Sequence, residues 1–189
     1  VTSVGTLSIR GLSSSGCTEQ NHDALASLAG LENVTSLLSL SVECAPILAD
    51  VSALSGVTGT MNGVQLRATP MLTSIAALAG TTSPAGGSVL AVESTGLTSL
   101  DGLQGISELS AGRFVTSITA NPALTSLSGL DNLTTMARSL DISSNGALIS
   151  LAGLDGLTSI GGSLTIEDNN GLGSIEALSP QLTSLGGSL

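Results

Sequence analysis

The chain has 189 residues, and its four basic residues, all arginine, stand against fourteen acidic ones for a formal net charge of −10. That balance repels nucleic acid and anionic membrane surfaces, so neither is expected as a partner. One Phe with no Tyr or Trp leaves Leu, Ile, Val and Ala to build the core, and there is no apolar run of roughly 18 residues to insert directly into a membrane.

The chain begins at Val1 without an initiator Met or a recognisable secretory signal, as expected of a mature or partial chain. Val1-Thr-Ser-Val4-Gly-Thr-Leu7-Ser-Ile9 reads as the second half of a unit, and Gly11–Ala24 as an enlarged loop. From there apolar residues first advance by three and then alternate. Leu25, Leu28, Leu31, Val34, Leu37, Leu40, Val42 and Leu48 make one unit with a residue deleted. Leu48, Val51, Leu54, Val57, Thr60, Val64, Leu66 and Leu72 make the next, with Thr60 as its polar exception. The units at 72–97 and 97–124 fit with small insertions near Thr81–Gly87 and Ser110–Arg113. Leu124–Leu148 and Leu148–Leu172 repeat nearly the same phrase 24 residues apart, and Leu182-Thr-Ser-Leu185-Gly-Gly-Ser-Leu189 stops in mid-unit.

Self-similarity at this period is the signature of a solenoid, in which each unit buries its apolar side by stacking on its neighbours. The alternation in Leu140-Asp-Ile142 or Leu164-Thr-Ile166 predicts a short strand with two side chains inward and one out. The triplet spacing suits a chain turning corners, without long helices. Gly30, Gly102, Gly129 and Gly153 before the third apolar slot, and Gly56, Gly80 and Gly156 before the fourth, mark corners with no room for a side chain. The Gly-Gly pairs at 86–87, 161–162 and 186–187 recur with the repeat and also read as corners. The expected fold is mainly β: a right-handed parallel β-solenoid of about 24 residues per turn and roughly seven turns. Residues 1–189 form a single repeat domain with incomplete units at both ends, about 35 Å long at the usual strand spacing.

The phrase Leu-Thr-Ser-Leu-x-Gly-Leu-x-x-Leu-Thr-Ser-Ile-Gly-Gly-Ser-Leu-x-Ile-x-x-Asn-x-x-Leu resembles the repeats of receptor L domains. These are leucine-rich-repeat-like β-solenoids of growth-factor receptor ectodomains and of some fungal and protist surface proteins. The resemblance covers nearly the whole chain and is strongest from Leu97 to Leu189. It implies the fold and an extracellular setting, whereas members serve as receptors, wall proteins and other surface proteins alike.

Asn121, Asn145 and Asn169 each fall three residues after the last inward strand residue. There an amide can bond the backbone of the adjacent turn as a structural ladder, with a ligand role as the alternative. Thr69 and Ala45 hold the slot nearer the N-terminus. Cys17 and Cys44 lie on loops that adjacent turns bring together, so a disulfide pinning the first loop is expected, two unpaired thiols being the alternative. Asn33-Val-Thr35 and Asn132-Leu-Thr134 are N-glycosylation acceptors in the same slot of two units, or chance triplets in a Ser- and Thr-rich chain.

No catalysis is expected, and no metal or cofactor. His22 is the only imidazole and no nucleophile motif surrounds it. Cys17, Cys44 and His22 are too few for a metal site. The outward strand positions Ser8, Ser41, Gln65, Ala91, Ser117, Asp141 and Thr165 form a small, polar face without the aromatic anchors of tight interfaces. Ranks of Thr (Thr35, Thr134, Thr158, Thr183; Thr73, Thr98, Thr125) raise ice binding as a third reading, against β-propensity and turn chemistry.

Solenoid ends expose unpaired edges, and neither end carries a charged or Pro-rich cap. Either the chain belongs to a longer array or its ends stack on like ends, through Val1, Val4, Leu7 and Ile9 at one and Leu182, Leu185 and Leu189 at the other. The expected function is a non-enzymatic extracellular structural protein, a cell-surface scaffold or fibre subunit assembling end to end. A ligand-binding receptor or adhesion ectodomain, with a surface glycan or protein partner, is the alternative.

Overall fold

The computed structural model describes residues 2–10, 17, 24–109, 116–178 and 181–189. Its strands in chain order are β1 (Ser3–Arg10), β2 (Ser36–Glu43), β3 (Gly59–Thr60), β4 (Gly63–Thr69), β5 (Thr81–Thr82), β6 (Val89–Thr95) and β7 (Glu108–Leu109). They continue with β8 (Thr116–Thr119), β9 (Thr135–Met136), β10 (Leu140–Ser143), β11 (Ser159–Ile160), β12 (Leu164–Glu167) and β13 (Ser184–Leu185). Seven of them lie side by side in the order β1-β2-β4-β6-β8-β10-β12, while β13-β11-β9-β7 and β3-β5 form smaller sheets. Every pairing is parallel. The chain is a parallel β-solenoid, nearly without helix among the described residues. Seven strands in the main sheet are separated by six windings, slightly fewer than the sevenfold repeat suggests.

The triplet spacing has a direct backbone cause. Leu130 N–H donates to Leu127 C=O at 3.1 Å and Leu133 N–H to Leu130 C=O at 2.8 Å; Leu154 and Leu157 repeat the pattern on Leu151 and Leu154 at 3.0 Å each. Three-residue turns return every third side chain to the same side, so the Leu residues line one wall. A Ser just before the second apolar slot starts the corner: Ser126 Oγ accepts from Ser128 N–H at 3.0 Å, and Ser174 Oγ from Glu176 N–H at 3.0 Å. Asp50 does the same for Ser52 N–H at 2.7 Å. A short polar side chain bonding the backbone two residues on is ordinary turn chemistry.

At the next position the units diverge. Gly129 adopts φ 105°, and a Cβ there would sit 2.0 Å from Leu100 O in the turn below. Where Ala53, Ala77 or Ala177 holds that place, the chain makes a single 3-10 turn, Ser52–Leu54, Ala76–Leu78 or Glu176–Leu178.

Stacking these units forms continuous apolar rows in one cluster, such as Leu48, Leu72, Leu97, Leu124 and Leu148, all fully buried. Each such Leu contributes about 2–3 kcal/mol by burial. One expected slot shifts by a residue. Met61 is buried at 3% exposure where Thr60 stood as the polar exception. Thr60 instead lies on the surface in β3, which pairs with β5, and Met61 N–H donates to Thr82 C=O at 2.8 Å. The lengthened Thr81–Gly87 corner draws the preceding turn into this pairing. The other expected insertion, Ser110–Arg113, lies outside the described residues, as do Val1, His22 and most of the Gly11–Ala24 loop.

Candidate interaction surfaces

The main sheet aligns the row Ser8, Ser41, Gln65, Ala91, Ser117, Asp141, Thr165 strand by strand. Two residues further along each strand the same register aligns Arg10, Glu43, Arg67, Glu93, Thr119, Ser143 and Glu167. Arginine and glutamate alternate over the first four. Arg10 Nε lies 3.7 Å from Glu43 Oε1 and Arg67 Nη2 3.2 Å from Glu93 Oε1. These side chains cover the smaller row. Arg10 Nη2 donates to Ser41 Oγ at 3.3 Å, Ser117 Oγ donates to Glu93 Oε1, and Ser41 and Ala91 are buried at 4% and 2% exposure. Two of the expected outward positions are therefore hidden. Partly exposed pairs of this kind are each worth about 0–1 kcal/mol. The face divides in charge: its N-terminal half is self-neutralised, and its C-terminal half carries Asp141 and Glu167 with no basic residue in either row.

The Asn column forms a directional ladder at the end of this sheet. Asn121 Nδ2 donates to Val92 C=O at 2.9 Å, and its Oδ1 accepts from Thr95 N–H at 3.0 Å and Thr95 Oγ1 at 2.8 Å. Asn145 Nδ2 donates to Ile118 C=O at 2.8 Å, and its Oδ1 accepts from Asn121 N–H at 3.0 Å and Asn121 Nδ2 at 3.1 Å. Asn169 repeats this on Ile142 C=O and Asn145 N–H at 2.8 and 3.0 Å. Each amide thus reaches back to the preceding turn, where it satisfies one carbonyl and one N–H. Thr69 at the same slot has a buried Oγ1 without a partner among the described residues. The residue before each rung is left-handed: Cys44, Ala68, Ser94, Ala120, Ser144 and Asp168 have φ between 51° and 58°. None of the six is glycine, so no sequence signal announces the bend.

The Thr rank knits turns together. Thr35, Thr134, Thr158 and Thr183 hydroxyls donate to the carbonyls of Thr2, Ser107, Thr134 and Thr158 at 2.8, 3.1, 2.9 and 3.3 Å. Asn33 and Asn132 are both exposed beside that rank, with Asn132 Nδ2 donating to Gln104 C=O at 2.8 Å. Two corner carboxylates are held below their ordinary range by backbone donors, Glu32 by Gly30 N–H and Asp50 by Ser52 N–H. Among the described residues no three potential ligands gather to hold a metal.

Cys17 and Cys44 form a disulfide with Cα atoms 5.3 Å apart. At the two end faces the apolar rows lose their cover. Val4, Leu7 and Ile9 at one end, and Leu182 and Leu185 at the other, are only half-buried, and Ile175 and Leu189 are 48% and 78% exposed. A depression of about 540 Å³ lies between Ser8–Arg10 and Leu25–Leu31, and one of about 520 Å³ lies between Leu164–Glu167 and Ser188–Leu189. Sequence reasoning singled out these residues through the apolar repeat they continue. It missed the Arg/Glu alternation, whose signal is the residue after Ile9, Val42, Leu66 and Val92.

No protein-family model matches the chain, and no curated protein matches it. Among solved structures it is similar to the leucine-rich repeat domain of the type III effector XopL, at 15% identity and a TM-score of 0.36, over 96% of this chain and 76% of that one. A likeness at that level adds nothing to the architecture that the strand pairing already shows.

Proposed function

We propose that the chain is a non-enzymatic extracellular repeat scaffold whose solenoid is extended end to end by turns of like shape. The observation that carries this reading is the change in burial along single apolar rows. The second-slot row is fully buried at Ile75, Leu100, Leu127 and Leu151, then emerges at Ile175 with 48% exposure. The row through Val42, Leu66, Val92, Ile118 and Ile142 is fully buried inside the stack and becomes half-exposed at Ile9 and Ile166. What buries these rows inside the molecule is another parallel turn, and another parallel turn is the shape that fits the ends. The Cys17–Cys44 disulfide supports an oxidising setting, and the exposed Asn33 and Asn132 support glycosylation there.

The protein purified from its native source is to be examined by sedimentation over a range of concentrations and by electron microscopy. End-to-end particles, shortened by Ile175→Glu in recombinant protein of unchanged melting behaviour, are expected. A monodisperse particle at all concentrations, indifferent to that substitution, refutes the reading. It would turn attention to the sheet face as the surface of a receptor or adhesion ectodomain.

A further inference from the structure

The sequence contains three Asn-Gly dipeptides, Asn62-Gly63, Asn145-Gly146 and Asn170-Gly171. An Asn followed by Gly can close on itself, because the glycine amide nitrogen meets no side chain on its way to the Asn Cγ. The fold treats the three very differently. Asn145 is fully buried, and turning its amide toward Gly146 would break its bonds to Ile118 C=O and to Asn121. Asn62 is exposed, but its peptide is fastened on both sides: its N–H donates to Leu38 C=O at 2.6 Å and its C=O accepts from Val89 N–H at 2.8 Å. Gly63 itself is held in β4 between Ser39 and Val89. At the third dipeptide Asn170 and Gly171 are both exposed, and neither the Asn170 amide nor the Gly171 N–H has a hydrogen-bond partner among the described residues. They form the two central positions of a turn closed by Leu172 N–H on Asn169 C=O at 2.9 Å.

From this we infer that Asn170 is a site of spontaneous deamidation, selected by the fold from three dipeptides of equal intrinsic chemistry. The Gly171 amide nitrogen gives its proton to solvent base and attacks Asn170 Cγ. The new bond joins that nitrogen to Cγ, the Cγ–Nδ2 bond breaks, and ammonia leaves. Water then opens the five-membered imide at one of its two carbonyls, leaving an aspartyl or an isoaspartyl residue at position 170. No oxidant or enzyme is required. The stack itself imposes the vulnerable pair, since a Cβ on Gly171 would lie 2.7 Å from Gly146 O and 3.1 Å from Leu148 O. Either product adds a negative charge beside the exposed Glu167 and Asp168, and the isoaspartyl form also lengthens the main chain next to the Asn169 rung.

The test is to age the intact protein in mildly alkaline buffer and to follow the three sites by peptide mass spectrometry, in native and in denaturing solution. In the native protein, deamidation at Asn170 is expected on the order of tenfold or more ahead of Asn62 and Asn145, which react only through local opening. In denaturant the three rates should converge, and Asn170→Gln should remove the early native product. Similar native rates at the three sites, or an earlier product at Asn62 or Asn145, would overturn the assignment. So would an early product that survives Asn170→Gln.

Discussion

Truncating Asn145 to alanine tests whether the amide column holds the turns together. The side chain is fully buried, satisfies Ile118 C=O at 2.8 Å, and receives Asn121 N–H at 3.0 Å. Asn145→Ala leaves those two backbone groups buried without partners and removes the side-chain contact from Asn121 Nδ2. At about 1–3 kcal/mol per orphaned group, the expected loss is about 2–6 kcal/mol. Asn169 makes the equivalent two backbone contacts but is half-buried at the last rung, where water can replace it. Asn169→Ala should therefore cost about 1–2 kcal/mol. Asn145→Asp adds a discriminating arm: it keeps the acceptor but sets an oxygen against Ile118 C=O, so it should be no better tolerated than alanine at neutral pH. Urea unfolding followed by two independent probes measures the change, because repeat arrays can lose two-state behaviour. Hydrogen exchange at the Asn121 amide should accelerate selectively in Asn145→Ala. A loss under about 1 kcal/mol, or one equal to that of Asn169→Ala, would refute the view that the buried rungs carry the corner.

Other perturbations separate corner geometry from composition. Gly129→Ala, with φ 105° and a Cβ 2.0 Å from Leu100 O, should cost on the order of 3 kcal/mol or prevent folding, while Gly146→Ala, with no atom within 4 Å, should stay within about 1 kcal/mol in thermal melts. Ala120 bends left-handed at φ 56°, so Ala120→Gly should gain up to about 1 kcal/mol, whereas the same change at Ala147, outside the left-handed set, should lose a comparable amount; equal effects would contradict the column. Glu32 and Asp50 are depressed from ordinary values of 4.5 and 3.8, so each contributes stability that is present above its ordinary value and lost as pH falls through the lower folded value. Acid titration should accordingly show less destabilisation below pH 4.5 in Glu32→Gln, read from melting temperature against pH.

The extent to which the architecture is legible in sequence follows from how it is made. Rows such as Leu100, Leu127 and Leu151 are separated in the chain by nearly one winding, so the spacing of buried side chains and the length of a turn are the same quantity. The corner Ser and the left-handed Gly129 act within a few residues of themselves, and their meaning is local. The Asn column is also visible, because an amide recurring at one place in the winding has a neighbouring turn within reach.

Other features depend on contacts between turns. Whether Thr60 or Met61 faces inward is decided by the pairing of β3 with β5, and hence by an insertion in the following turn. Ser41 and Ala91 sit in the outward phase of their strands, yet both are buried, Ser41 beneath a hydrogen bond from Arg10 of the adjacent strand. The left-handed bends at Ala68 and Ala120 follow from the path between strand and rung, without a glycine to mark them. The sequence alone thus determined the winding, its period and the composition of its core, because burial every few residues is written along the chain. The tertiary structure decided which residue occupies each slot, which charges meet and which of three Asn-Gly pairs stays exposed, because those depend on the turns above and below.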